Sequence, residues 1–96
     1  MSEESMSMDQ LARCRKQIDE LDRNLIALLN ARSRIVEEIG RIKQNLSLPI
    51  YEPRREDEVF RNVTTHNSGP LSAEAVRRVF ERIIDEMRNI QKEKML

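Results

Sequence analysis

Aromatic residues and glycine are scarce in the sequence. Its 96 residues include two Phe, one Tyr, no Trp and only two Gly. Charged residues make up 35% of the chain and hydrophobic residues 39%. This composition is typical of helical proteins and fits a sheet poorly, and the short length leaves room for one core. We therefore expect residues 1–96 to form a single all-α domain, with residues 1–6 disordered.

Cysteine is scarce, net charge is zero and long apolar runs are missing. One cysteine cannot form an internal disulfide. Seventeen basic residues balance 17 acidic ones, so no overall field attracts nucleic acid or an anionic membrane. No apolar run is long enough for a signal sequence or a membrane span. We expect a soluble, cytoplasmic protein that binds neither nucleic acid nor membranes.

Apolar residues predict one very long N-terminal helix. They recur at helical spacing from Leu11 to Ile42 without a breaker. Ser7 and Gln10 have the spacing of a capping box at its start. The helix is expected to end near Asn45.

Two shorter helices are predicted to follow. Pro53 suits the first position of the second helix, and Ser72 suits the N-cap of the third. Residues 65–70, THNSGP, are expected to be the loop between them. The residues predicted to be buried are Val59, Phe60 and Val63 in the second helix and Val76, Val79, Phe80, Ile83, Ile84, Met87 and Ile90 in the third.

The length of the first helix predicts a homodimer. About 38 residues extend about 57 Å at 1.5 Å per residue, whereas a compact domain of this size has a radius of gyration of about 13 Å. Two other helices cannot cover that stripe, but a second copy of the chain can. We predict an intertwined helical homodimer. The alternative is an extended coiled coil, whose heptads would place Arg32 and Lys43 at core positions.

Arg32 and Lys43 interrupt the apolar stripe of the first helix. They are eleven positions apart, which leaves them about 20° apart around the helix and about 16 Å apart along its axis. Gln91 stands on the apolar face of the third helix, four residues after Met87. Each alone is explained by a side chain that snorkels out of a dimer seam. The three together favour a site for a small anionic ligand, because Arg and Lys attract carboxylates and an amide donates to an ether or carbonyl oxygen.

Two other residues are weaker candidates for chemistry. Cys14 lies at the centre of the stripe and is expected to be a small core residue, because no cation is placed to activate it. His66 is alone in the predicted loop, with no Cys or His partner for zinc. The sequence therefore predicts no metal site.

Four segments, read together, resemble the all-helical class of chorismate mutases. They are RKQIDELDRNLIALLNAR (15–32), GRIK (40–43), PIYEPRRE (49–56) and VFERIIDEMRNIQ (79–91). The resemblance covers nearly the whole chain, in order and with family spacing. NSGPLS is also similar to mutase domains fused to other enzymes of aromatic amino-acid synthesis. The resemblance implies an isomerase that converts chorismate to prephenate, for Phe and Tyr synthesis, by an intramolecular Claisen rearrangement.

The resemblance also implies a site shared between two chains. Arg15 from the partner chain and Arg32 would hold the two carboxylates of the substrate. Lys43 and Gln91 would face the ether oxygen, where negative charge grows as the C–O bond breaks. The catalytic residues implied are Lys43, Gln91, Arg32 and Glu56.

Four further substrate-binding residues follow from the resemblance. Glu56 would accept a hydrogen bond from the ring hydroxyl, and Arg55 would order the site from behind. Glu52 stands where the family often has Asp, so its longer side chain need not act as the helix cap. Met87 stands where many members have a small polar residue, which removes one hydrogen bond to a carboxylate.

This rearrangement requires neither metal nor cofactor. It needs a flexible dianion held in its reactive conformer, and donors aimed at the developing charge in a dry cavity. Two alternatives remain. One is an isochorismate pyruvate-lyase of the same fold. The chain resembles that lyase less than it resembles the mutases, because Glu56 matches the mutases. The other is a non-catalytic helical dimer that regulates, or docks onto, a partner enzyme of the shikimate pathway.

Overall fold

Three helices make up nearly all of the protein. The computed structural model describes residues 2–94, in which α1 is Glu3–Asn45, α2 is Pro53–His66 and α3 is Ala73–Lys94. No strand occurs in these residues. The predicted all-α class with a very long N-terminal helix is confirmed. None of the three helices is long and apolar enough to cross a membrane.

The chain divides into two compact units, one up to Arg32 and the other from Ser33 onward. Helix α1 contributes residues to both units. The single-domain organisation expected for residues 1–96 stays a prediction. The disorder expected for residues 1–6 also stays a prediction: residues 3–6 are part of α1, and Met1 lies outside the described residues.

Helix α1 begins earlier than the sequence pattern indicated. The Ser2 hydroxyl oxygen accepts a hydrogen bond from the backbone N–H of Ser5 at 3.2 Å. Glu3 and Glu4 then occupy the first turn, where acidic side chains are favourable. The capping box predicted at Ser7 is therefore wrong, because that residue lies inside the helix. The end of α1 at Asn45 is as predicted.

Helix α2 begins at Pro53, as predicted, but ends later than expected. The loop predicted for residues 65–70 is wrong for its first two residues, because the helix continues to His66. His66 Nδ1 lies 2.7 Å from the carbonyl oxygen of Asn62, so the ring supports the last turn. The backbone N–H of Asn67 donates to the Thr64 carbonyl at 3.3 Å and closes the helix.

The connection to α3 is held by local hydrogen bonds. Asn67 Oδ1 accepts from the backbone N–H of Gly69 at 3.0 Å, and its Nδ2 donates to the Leu71 carbonyl at 2.7 Å. Gly69 has φ 82°, a conformation that favours glycine. The Ser72 hydroxyl accepts from the backbone N–H of Ala75 at 3.0 Å. The predicted N-cap of α3 is confirmed.

Removing this cap is expected to weaken the protein measurably. Ser72→Ala leaves a backbone donor of α3 without its side-chain partner and should lower the free energy of unfolding by about 1 kcal/mol. Urea denaturation at a fixed protein concentration measures the change. Ser68→Ala, in the exposed part of the same loop, is the matched control. Equal losses in the two variants would contradict a capping role.

The core of the second unit lies where α2 packs against α3. Its buried apolar side chains are Phe60, Val76, Ile84 and Met87, all of which were predicted. Val79 was predicted to be buried but is 52% exposed. It lies about 140° around the helix axis from Ile84, at the edge of the apolar stripe.

The first unit consists of α1 alone, and its apolar stripe is exposed. A second copy of the chain was expected to cover this stripe, because a single helix has no second element to do so, and that expectation stays a prediction. Cys14, expected in the core, is exposed with it. The other exposed apolar residues of this unit's stripe are Leu11, Ile18, Leu21, Leu25 and Leu28.

Candidate active site

Lys43 and Gln91 are the two buried polar side chains among residues 2–94. Each is 7% exposed. Both lie in the second unit, Lys43 in the last turn of α1 and Gln91 in the last turns of α3. Buried polar groups are costly unless they are paired, so their partners define the site.

Two groups from the segment after α1 hold the Lys43 ammonium. Its Nζ donates to the Ile50 carbonyl oxygen at 2.9 Å and lies 2.5 Å from Glu52 Oε1. A reversal of the chain after Asn45 makes this possible. Ser47 has φ 57°, and the backbone N–H of Leu48 donates to the Lys43 carbonyl at 2.8 Å. The chain therefore folds back over the end of α1 and places its carbonyl and carboxylate at the ammonium.

Gln91 connects α3 to the same part of α1. Its Nε2 donates to the backbone carbonyl oxygen of Val36 at 3.1 Å. Val36, the buried Gly40 and Lys43 follow one another at helical spacing and so share one face of α1. Gln91 and Lys43 therefore belong to the same face.

This face of α1 lies beside the apolar row of Ile35, Ile39 and Ile42. These residues belong to the stripe that a second copy of the chain was expected to cover, and within one protomer they are 59%, 40% and 49% exposed. Around the helix, Ile39 lies about 60° from Val36, and Ile35 and Ile42 lie about 100° to 120° from it. In the second unit, the side of α1 that packs inward carries Val36, Gly40 and Lys43.

Glu56 pairs with Arg88, a residue that sequence reasoning missed. Arg88 Nη2 donates to Glu56 Oε2 across α2 and α3. The guanidinium also lies 5.1 Å from the centre of the Tyr51 ring and 3.5 Å from Asp85 Oδ1. The hydrogen bond to Glu56 raises the pKa of Arg88, while burial acts in the opposite direction. The guanidinium is therefore charged at every pH at which the protein would be studied.

A signal for Arg88 was present in the sequence. The residue follows buried Ile84 by four positions and precedes buried Gln91 by three. It is thus a cation beside the apolar stripe of α3, the feature that drew attention to Lys43 in α1. The same reasoning applied to α3 would have included it.

The remaining predicted residues of the second unit have different partners. Glu52 is the N-cap of α2 but makes no side-chain cap hydrogen bond, and its half-exposed carboxylate pairs with Lys43 instead. Arg55 is exposed and lies 3.1 Å from Glu58 Oε2 within α2. Its predicted role in ordering the site stays a prediction.

The side chain of Met87 contacts the hydroxyl group of Ser33. It is buried, and the Ser33 hydroxyl of α1 lies 3.4 Å from its sulfur as a donor. Ser33 therefore brings a polar group to the position where the family resemblance implied a missing one.

Arg15 and Arg32 belong to the first unit. Arg15 is exposed and Arg32 is partly buried. Their place in the site stays a prediction. Within residues 2–94 no three His, Cys, Asp or Glu side chains stand close enough together to hold a metal ion.

The second unit thus presents hydrogen-bond donors from two desolvated groups. An ammonium has three N–H donors, and Lys43 directs two towards Ile50 and Glu52. An amide has two, and Gln91 directs one to Val36. Each group retains one donor for a ligand oxygen, in surroundings where such bonds are stronger than in water.

A groove lies between α2 and α3, away from Lys43 and Gln91. It is lined by Asp57, Phe60, Arg61, Thr64 and Arg77. The Arg77 guanidinium stands 4.2 Å over the Phe60 ring. None of these residues was predicted as a site residue.

Comparison with known proteins gives one consistent result. The family described as chorismate mutase type II matches residues 14–92. A bifunctional chorismate mutase/prephenate dehydratase from Aquifex aeolicus is 34% identical over 89 residues. The match takes in 88% of this chain but 25% of that protein, so the chain spans about a quarter of its length.

Solved structures resemble the chain over nearly their full length. Chorismate mutase from Thermus thermophilus (form II) has a TM-score of 0.85 and 35% identity, covering 86% of this chain and 94% of that one. Chorismate mutase from Helicobacter pylori in complex with prephenate also has a TM-score of 0.85, with 30% identity. It covers 91% of this chain and 94% of that one.

Proposed function

This chain belongs to the chorismate mutase type II family, and from that premise we propose that it converts chorismate to prephenate. The reaction is an intramolecular Claisen rearrangement in which a C–O bond breaks as a C–C bond forms. The Helicobacter pylori structure that the chain resembles contains prephenate, the product of this reaction. The residues of the second unit provide a mechanism for it.

The observation that carries the proposal is the burial of Lys43 and Gln91 on one face. Both are 7% exposed, and both have an N–H donor left for a ligand. In the proposed complex these donors face the ether oxygen of chorismate. Negative charge grows there in the transition state, so the two bonds strengthen as the barrier is crossed. The desolvated position makes that gain larger than it would be in water.

Three residues of the second unit complete the proposed pocket. Glu56 accepts a hydrogen bond from the ring hydroxyl, and Glu52 keeps the Lys43 ammonium in place through the ion pair at 2.5 Å. Met87 forms part of the apolar wall, with the Ser33 hydroxyl beside it. Arg55 is assigned a supporting role behind this pocket.

The two carboxylates of chorismate are assigned to Arg32 and to Arg15 from a second copy of the chain. The exposed stripe of the first unit supports a dimer, since Leu21, Leu25 and Leu28 are 61%, 54% and 68% exposed. A continuous apolar stripe of this kind requires a covering surface. A second α1 supplies one of matching length and composition, and it carries Arg15 with it.

The name of the Aquifex aeolicus relative suggests a further partner. That protein joins a chorismate mutase to a prephenate dehydratase. We therefore assign this chain a place in aromatic amino-acid synthesis, beside an enzyme that consumes prephenate.

Purified protein mixed with chorismate tests the proposal. The ultraviolet absorbance of chorismate should fall, and chromatography should identify prephenate as the product. A parallel reaction with isochorismate tests the lyase alternative: salicylate and pyruvate from isochorismate, with chorismate unchanged, would replace the mutase assignment. A folded dimer that alters neither compound would favour a regulatory role.

Gln91→Glu is expected to make turnover depend on acidic pH. The introduced carboxyl group can donate a hydrogen bond to the ether oxygen only while it is protonated. Once ionised it repels both the developing charge and the carbonyl oxygen of Val36, which accepts from Gln91 at 3.1 Å. Turnover should therefore be higher at about pH 5 than at about pH 8.

Rate measurements over this pH range, on the parent and the variant, give the comparison. Gln44→Glu, an exposed change of the same kind in α1, should follow the parent. A Gln91→Glu profile parallel to that of the parent would remove Gln91 from the site.

A further inference from the structure

Arg88 links two helices through an ion pair that the proposed mechanism does not use. Its Nη2 donates to Glu56 Oε2, although the residues are 32 positions apart in the chain. The two side chains are only 24% and 23% exposed. The guanidinium is further located by the Tyr51 ring, whose centre is 5.1 Å away. Asp85 Oδ1 lies 3.5 Å from Nη1.

This pair differs from the other ion pairs of α3. Arg77 pairs with Glu81 at 3.3 Å and Arg82 with Glu86 at 2.9 Å, each within one helix and with side chains at least half exposed. Exposed pairs of this kind fix little, because water and salt screen them. The Arg88 pair is shielded and joins two elements, so it constrains the direction of the Glu56 side chain.

Glu56 lies close to the residues that surround the Lys43 ammonium, so the direction of its side chain matters for a ligand bound there. Glu56 lies in the first turn of α2, and its backbone N–H donates to the carbonyl oxygen of Glu52 at 3.0 Å. Glu52 Oε1 is 2.5 Å from the buried Lys43 ammonium. A carboxylate has about four lone-pair sites, so the bond from Arg88 leaves Glu56 able to accept another donor.

We propose that Arg88 is a positioning residue for this reaction: it fixes the orientation of the Glu56 carboxylate so that Glu56 accepts the hydrogen bond of the ring hydroxyl. The proposal rests on the proposed function. It adds a residue of α3 that acts on substrate through Glu56 and does not touch substrate itself. Tyr51 and Asp85 keep the guanidinium in place when a ligand enters.

A double-mutant cycle separates this role from a structural one. The four proteins are the parent, Arg88→Met, Glu56→Gln and the double variant, and kcat and KM are measured with chorismate. Arg88→Met should raise KM about tenfold and lower kcat much less, because the ring hydroxyl is held equally in the ground state and the transition state. In the Glu56→Gln background, Arg88→Met should have almost no further effect on KM, since Arg88 acts through that carboxylate.

Three additional measurements sharpen the test. Arg88→Lys keeps the cation, so its KM should lie much closer to the parental KM than that of Arg88→Met. Arg82→Met removes an exposed guanidinium of the same helix and should keep the parental KM. A chorismate analogue with its ring hydroxyl methylated cannot donate to Glu56. The parent and Arg88→Met should therefore have similar KM values for this analogue. Circular dichroism checks the helices of every variant.

The outcomes are distinguishable. An inactive parent protein overturns the proposed function and the role of Arg88 together. With an active parent, additive effects of Arg88→Met and Glu56→Gln on KM overturn the positioning role alone. An equal penalty from Arg88→Met with chorismate and its methylated analogue does the same. If Arg88→Met does not fold, Arg88→Gln, which also removes the charge, takes its place in the cycle, and additivity there is equally decisive.

Discussion

Lys43→Ala is expected to lower kcat by about 100- to 1000-fold, the usual effect of removing one donor from a developing oxyanion. Lys43 provides the positive charge nearest to the ether oxygen in the proposed complex. Lys43 as a whole is 7% exposed, so the substitution also removes a desolvated cation. Its partner Glu52 is 49% exposed and can turn to water. The loss of activity should therefore exceed any loss of stability.

Steady-state rates with chorismate and urea denaturation of the same preparations test this prediction. Arg41→Ala removes an exposed cation two residues away in α1 and should leave both quantities near the parental values. Lys43→Met keeps most of the side-chain volume without the charge and should be as inactive as Lys43→Ala. Near-parental turnover in either Lys43 variant would show that the ether oxygen lies elsewhere.

The second large effect is the recovery of activity in mixed dimers. If Arg15 serves the pocket of the partner chain, Arg15→Ala and Lys43→Ala homodimers should each be nearly inactive. Unfolding them together and refolding gives heterodimers with one doubly damaged pocket and one intact pocket. With random pairing about half of the dimers are mixed, so roughly a quarter of the parental sites should return.

The control for this experiment is brief mixing of the two folded variants, which should restore nothing until subunits exchange. Native mass spectrometry establishes whether heterodimers are present after refolding. A refolded sample that contains heterodimers and stays inactive would mean that Arg15 acts within its own chain or not at all. The shared-pocket assignment would then be withdrawn.

Local signals in the sequence predicted the starts of α2 and α3 well. Pro53 and Ser72 act within one turn of themselves, through a fixed φ angle and a hydroxyl that accepts a backbone N–H. His66 shows the limit of such signals. Helix α2 continues into the predicted loop because His66 Nδ1 lies 2.7 Å from the carbonyl oxygen of Asn62, one turn earlier.

The site was partly predictable for a different reason. Lys43 and Gln91 were visible as polar residues on apolar stripes, and both are buried as that pattern indicates. Arg88 and its bond to Glu56 were not found, because the pair joins residues 32 positions apart and depends on how α2 packs against α3. Periodicity records which side of a helix is apolar, but it does not record which residue of another helix lies opposite.

The same limit applies to Ile35, Ile39 and Ile42, which are exposed within one protomer. These residues form a regular apolar row, and Gln91 of α3 meets α1 at Val36, about 60° around the helix from Ile39 and about 100° to 120° from Ile35 and Ile42. Hydrophobicity alone favoured the row. The hydrogen bond from Gln91 belongs to the tertiary structure, which a single helix pattern does not contain.

The Lys43–Glu52 pair has a consequence for how a ligand would bind. Glu52 is an internal counter-ion, so the ammonium can be buried before any ligand arrives. A chorismate dianion then enters as a competitor for a cation that is already neutralised, and its measured affinity is a difference between two anions. If the proposed function holds, Glu52 weakens the binding of chorismate and stabilises the protein while no ligand is bound. Removing that carboxylate would shift the balance towards the ligand.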